Sequence, residues 1–108
     1  MSEHFYGKAD IVKVGKIMQH QPEIFQKMME LSTKVMAEGA LSTKVKELIA
    51  VACAHITQCP YCISGHVKAA KAAGVTEAEL TEAILVAVSL ASGASMAHAS
   101  VAFKAFED

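Results

Sequence analysis

The chain has no tryptophan, only two prolines and an aromatic content of 6%, and residues of high β propensity never alternate over the length of a strand. Without that alternation a half-buried sheet has no sequence basis, and helix becomes the default throughout. Runs of one charge sign are also missing. Ten basic and eleven acidic residues are scattered along 108 positions for a net charge of −1, which excludes the basic stripe needed for nucleic acid or an anionic membrane surface. The start, Met1-Ser2-Glu3-His4-Phe5, lacks the basic and apolar regions of an export signal, so a cytoplasmic, reducing setting is expected. No repeat, low-complexity tract or linker divides the chain, which reads as one domain over 1–108.

What is abundant is apolar side chain. The hydrophobic fraction of 53% exceeds the usual share for a soluble domain, while a chain of this length buries only about two-thirds of its unfolded surface. The excess has to be covered by another copy, so a homo-oligomer is expected. From Ala83 to Phe103 there is no Asp, Glu, Lys or Arg, long enough to span a bilayer. Ser89, Ser92, Gly93, Ser95, His98 and Ser100 interrupt that stretch, which favours buried helices of a soluble protein over a membrane span.

Punctuation residues divide the chain into helices. The first is expected over about Ala9 to Gln19, with Ile11, Val14, Ile17 and Met18 at helical spacing. The second opens at Pro22, buries Phe25, Met28, Met29, Leu31 and Val35, and ends near Gly39. Ser42 caps a third, reaching about Gln58, whose stripe Val45, Leu48, Ile49, Ala52, Cys53 and Ile56 faces a core. The fourth runs from Pro60 to before Gly74, and Thr76 with Glu79 forms a capping box for the fifth. Unbroken to Phe106, the fifth would be about 45 Å long, more than such a domain is wide, so a break near Ser92-Gly93 is expected. The fold class is therefore all-α, with about six helices.

Chemistry is concentrated in Cys59-Pro60-Tyr61-Cys62-Ile63-Ser64-Gly65-His66, with Glu47 twelve positions before the first thiol. Pro60 suits the first position of a helix with Cys59 as its N-cap, leaving backbone N–H groups near both sulfurs. Cys62 and His66 are four apart, so on a helix they share a face, and an imidazole can hold the proton of a nucleophilic thiol. Cys59, free of helical dihedrals, can approach Cys62 closely enough for a dithiol–disulfide cycle. The short connection at Gln58-Cys59 requires an antiparallel hairpin, which sets Glu47 and His66 at levels differing by only ~6 Å. Glu47 can then orient the imidazole and accept its positive charge.

The pattern Glu, eleven residues, Cys, two residues, Cys, three residues, His, set in Leu41-Ser42-Thr43-Lys44-Val45-Lys46-Glu47-Leu48-Ile49-Ala50 through the Cys59–His66 motif to Gly74-Val75-Thr76, resembles the carboxymuconolactone decarboxylase-like superfamily, in particular its alkylhydroperoxidase D (AhpD)-like branch. The resemblance implies a helical domain that assembles as a trimer or hexamer. It also implies reduction of a hydroperoxide, or of a partner protein's disulfide, without a bound cofactor and at the expense of a cellular dithiol. It makes Cys62 the attacking thiol, Cys59 its resolving partner, and His66 with Glu47 a proton relay. Some AhpD members carry a histidine immediately before the second cysteine; Tyr61 stands there in this chain. True decarboxylases lack the paired cysteines, which argues against lactone decarboxylation.

Two other readings compete. His55, Cys59, Cys62 and His66 supply a zinc-type donor set, although all four lie around one helix junction that Pro60 stiffens. A non-enzymatic, oligomeric scaffold is the second. Within the expected core stripe, Cys53 reads as a small buried hydrophobe rather than a third redox thiol. His55 and His98 read as packed or solvated side chains, His4 and His20 as exposed, and Met18, Met28, Met29, Met36 and Met96 as adaptable core or interface filler.

Overall fold

A computed structural model describes residues 7–108, and over that range the chain is helical without a strand. A 3-10 helix over Lys8–Val14 runs directly into α1 (Gly15–His20) and is followed by α2 (Pro22–Met36), α3 (Thr43–Thr57), α4 (Pro60–Ala72) and α5 (Glu77–Glu107). The punctuation expected from sequence operates at most of these boundaries. Pro22 and Pro60 occupy first-turn positions, where the missing N–H has no helical partner to lose. The Ser42 hydroxyl accepts from the Val45 N–H at 3.1 Å, satisfying one orphan donor of α3. Gly74 adopts φ +91° after α4, a left-handed conformation that a side chain disfavours.

Helix α3 is the centre of the domain, packing against α4 on one side and α5 on another. The buried residues follow from that position: Glu47, Val51 and Ala54 on α3, Ala70 on α4 and Ala87 on α5. Small side chains at these crossings let the helix axes approach closely, which makes the core narrow. Helix α2 is tied to α3 mainly through its own end. Lys46 Nζ donates to the carbonyls of Val35 (2.8 Å) and Ala37 (2.6 Å), and Thr43 Oγ1 donates to Met36 O (3.1 Å), so carbonyls left open at the α2 terminus gain partners. Helix α2 accordingly ends at Met36, short of Gly39.

The largest departure from expectation is α5, which runs from Glu77 to Glu107 without a break at Ser92-Gly93. A glycine in a helix costs only about 1 kcal/mol relative to alanine, and the alanines around it restore helix propensity. A chain that lets α5 project past its neighbours has no need to fold it back. At 1.5 Å per residue, α5 is about 46 Å long, comparable with the 52 Å longest dimension of the molecule.

Projection leaves apolar surface bare. Phe103 is 67% exposed and Leu31 64% exposed; Met28, Met29 and Val35 of α2 and Val45, Ile49 and Ile56 of α3 are exposed too. The faces expected to bury these side chains thus lie on the outside of the isolated chain, because α3 turns Glu47, Val51 and Ala54 inward instead. Cys53 shares that outer face and is exposed rather than buried. The accessible surface is 8689 Å², against about 5,800 Å² for a compact monomer of this mass. The radius of gyration is 17.8 Å, against about 13 Å for a compact domain of this length. By length and composition α5 is also apolar enough to cross a bilayer, with a mean hydropathy of 1.6 in its most apolar window.

The start of α5 carries a complete capping box: the Glu79 N–H donates to Thr76 Oγ1 at 3.2 Å and the Thr76 N–H to Glu79 Oε1 at 2.9 Å. Lys44 Nζ reaches Glu79 Oε2 at 3.0 Å, joining the first turns of α3 and α5. The backbone donor of Thr76, followed by the Lys44 ammonium, lowers the Glu79 pKa from the ordinary value of 4.5. A carboxylate with a depressed folded-state pKa contributes stability above its unfolded value and loses it as pH falls through the folded one. In urea titrations at neutral pH, Thr76→Ala should cost about 1 kcal/mol. Glu79→Gln should be less stable than wild type at neutral pH, and that difference should disappear on acidification below 4.5.

Candidate functional site

Pro60 determines the corner on which the site is built. Its ring disfavours helical dihedrals at the preceding residue, and Cys59 is extended at φ −108°, ψ 100°. Helix α3 therefore has to close by Gln58, which takes the left-handed conformation at φ 57°, ψ 48°. The N–H groups of both Gln58 and Cys59 turn back to Ala54 O. This two-residue corner reverses the chain into α4 and aligns α3 and α4 as the expected antiparallel hairpin.

Cys59 is the N-cap of α4, and its Sγ accepts from the Cys62 N–H at 3.2 Å. A Cα–Cα separation of 5.2 Å accompanies a disulfide between Cys59 and Cys62, within the range such a bond requires. Helix α4 begins at this pair, so the positive end of its dipole lies at the sulfurs, an environment that favours thiolate in the reduced form. Cys62 is exposed and Cys59 half-buried. The disulfide leaves Cys53 as the free cysteine.

One turn beyond Cys62, His66 Nδ1 lies 2.8 Å from Glu47 Oε2 across the hairpin. The Glu47 side chain is 8% exposed and that of His66 37% exposed. A carboxylate can only accept, so Nδ1–H is the donor, and a neutral His66 then carries its lone pair on Nε2. All four residues singled out from sequence, Glu47, Cys59, Cys62 and His66, thus fall on one hairpin. The carboxylate–imidazole contact and the thiol pair follow one another along α4.

Other sequence candidates fall elsewhere. His55 Nδ1 is held by its own helix at Val51 O, 2.8 Å away, and His98 is exposed on α5; neither bonds to the four site residues among those described. His20 is exposed, and His4 lies outside the described residues. Of the zinc-type donors, Cys59 and Cys62 are joined to each other and His55 is bonded to its own helix, and among the described residues no group of three or more His, Cys, Asp or Glu side chains is placed to hold a metal ion. One contact escaped the sequence reading altogether. Tyr61 Oη, from between the two cysteines, donates to Gly7 O at 3.1 Å and fastens the 3-10 helix to α4. No spacing rule links positions that far apart.

Fold and site together define a small all-α domain carrying a CxxC disulfide and, one turn along α4, a histidine bonded to a buried glutamate. The model of the carboxymuconolactone decarboxylase family matches residues 22–105, and the chain belongs to that family. It is 43% identical over 95 residues to uncharacterized protein 4 of the cox locus of Paracoccus denitrificans, covering 88% of this chain and 86% of that one. A crystal structure of a Methanobacterium thermoautotrophicum protein superposes with a TM-score of 0.75 at 36% identity, over 81% of this chain and 98% of the other. The apo form of a carboxymuconolactone decarboxylase family protein from Legionella pneumophila gives a TM-score of 0.72 at 35% identity, over 93% and 89%. The paired cysteines are consistent with the AhpD-like branch of the family.

Because Glu47 is buried with His66 as its partner, His66→Ala should lower stability by about 1–3 kcal/mol through the carboxylate left unpaired. The stabilities of Glu47→Ala and the double variant Glu47→Ala/His66→Ala should differ by much less than the effect of His66→Ala alone, because the two side chains are in contact.

Proposed function

We propose that the protein is a thiol oxidoreductase that reduces a hydroperoxide, or the disulfide of a partner protein, at Cys59 and Cys62. The observation that carries this reading is the disulfide at the N-terminus of α4, one turn from an imidazole whose other nitrogen is held by a buried carboxylate. On the peroxide route the Cys62 thiolate attacks the terminal oxygen of ROOH. The O–O bond breaks, ROH leaves with a proton, and Cys62 becomes a sulfenic acid. The Cys59 thiol then displaces water to form the disulfide, which an external dithiol reduces by exchange. His66 takes the thiol proton and Glu47 stabilises the imidazolium, in the arrangement of nucleophile, base and orienting acid. A cytoplasmic setting, where dithiol reductants are present, suits such a cycle.

The working form in this reading is a homo-oligomer, a trimer or hexamer. Its support is the surface that the single chain leaves bare on α2, α3 and the distal half of α5. The serines and His98 within α5 favour a protein cover over lipid. Light scattering at micromolar concentration should give a multiple of the 11.5 kDa chain mass, and a clean monomer would contradict the assembly.

Thiol counting before and after mild peroxide, with mass mapping of the product, tests the chemistry. Two thiols per chain should be lost as a Cys59–Cys62 bond, with Cys53 still free; a Cys53 linkage, or no oxidation, overturns the assignment. Cys59→Ser should stop at a sulfenic acid on Cys62 that a dimedone label traps. His66→Gln should slow alkylation of the reduced protein at neutral pH by about tenfold, and Glu47→Gln by less, the size expected when a nearby opposite charge is lost. Wild-type alkylation in both variants would remove the relay and leave the helix terminus as the activating group.

A further inference from the structure

A second feature of α4 is not used by the redox cycle. A cavity of about 350 Å³ opens between the 3-10 helix and α4, within the size range of small-molecule sites. Pro60 and Tyr61, the two residues between the cysteines, form part of its wall, and Ile11 of the 3-10 helix adds an apolar side chain. The hydrogen bond from Tyr61 to Gly7 O keeps the two walls together. Gly65 also lines it, and a Cβ added there would meet no atom within 4 Å, so the glycine leaves space that a side chain would fill.

The polar groups around this cavity are of one kind. Lys8 and Lys68 are its charged lining residues and Ser64 contributes a hydroxyl, and among the described residues no acidic side chain lines it. Neither lysine is ion-paired among the described residues, and Asp10, the acid on the same segment, is bridged to Lys13 at 3.2 Å. In a chain of net charge −1, two ammonium groups around one apolar cavity are a local arrangement rather than a reflection of overall basicity. They match a single anionic group on an otherwise apolar molecule. Phosphate is a poorer match. The lining has no arginine fork, and Pro60 cannot supply the backbone N–H that phosphate-binding turns use.

We propose that this cavity binds the carboxylate of a small amphipathic molecule, with the ammonium groups of Lys8 and Lys68 and the Ser64 hydroxyl on the carboxylate and the apolar body against Ile11, Pro60 and Tyr61. Resting on the oxidoreductase reading, it deepens that reading by assigning a charge class to the substrate: a hydroperoxide that carries a carboxylate. The cavity wall includes Pro60 and Tyr61, the two residues between the sulfurs, while the lining contains neither cysteine nor His66, so the peroxide end of such a molecule has to extend beyond the cavity rim to reach a thiol.

Octanoate, octanol and inorganic phosphate, titrated into the oxidised full-length protein and followed by amide NMR, test the binding without requiring turnover. Octanoate should shift the amides of Tyr61, Ser64, Gly65 and Lys68. Lys8→Glu/Lys68→Glu should weaken its binding by roughly tenfold, the effect of about 1.4 kcal/mol, and Gly65→Val should weaken it by filling the cavity while keeping both charges. Octanol binding as well as octanoate, phosphate displacing octanoate at equal concentration, or shifts confined to other elements would each overturn the site. The double lysine variant should also lower kcat/KM for a carboxylate-bearing hydroperoxide relative to an uncharged one by about the same factor. Octanoate binding without any peroxide turnover would retain the cavity and reject the substrate role. Turnover indifferent to charge would reject the cavity as a substrate site and leave the redox reading standing.

Discussion

The steric conflict between the Pro60 ring and a helical Cys59 is the constraint from which the site's geometry follows. It ends α3, sends Gln58 into the left-handed region and begins α4 with a sulfur as the capping atom. The same turn sets the register of the hairpin, and the register brings Glu47 to His66. A proline here acts twice, as the terminator of one helix and as the first residue of the next. Replacing it would loosen the thiol geometry and the carboxylate–imidazole contact together, since both depend on one corner.

A second constraint is the mismatch between core and chain. The buried residues are few and mostly alanine, and they hold α3 between α4 and α5 without covering the larger apolar side chains. Close helix approach and large side chains compete for the same crossings, and where the small residues prevail the large ones are left outside. Helix α5 carries this furthest, because most of its distal half is exposed among the described residues. The surface and the radius of gyration both exceed those of a compact domain of this mass and length.

Within the carboxymuconolactone decarboxylase family, the paired cysteines of this chain are consistent with the AhpD-like branch. Tyr61 departs from the pattern in which a histidine precedes the second cysteine. Its hydroxyl reaches Gly7 O and supports the wall of a cavity, so the residue between the two cysteines makes a structural contact here. The 3-10 helix is thereby held over α4 by the motif itself.

Much of the fold and of the site was legible because the signals were local. The Ser42 cap, the Thr76–Glu79 capping box, the two first-turn prolines and the turn at Gly74 each depend on atoms a few residues apart, and the structure places helix ends at or beside each of them. The pairing of Glu47 with His66 was also legible, since a short connection leaves two helices little choice but to run antiparallel. The outcome at Ser92-Gly93 and the faces of α2 and α3 were not. Helical spacing identifies an apolar stripe, but two stripes on α3 compete, and which one turns inward depends on how closely α4 and α5 approach. The sequence by itself determined the helices, their caps and the spacing of the thiols with the histidine and glutamate, because local sterics and the helical repeat govern those. Only the tertiary structure decided that α5 stays whole, that Cys53 faces outward and that Lys8 and Lys68 line one cavity, because these depend on packing between segments that no spacing rule connects.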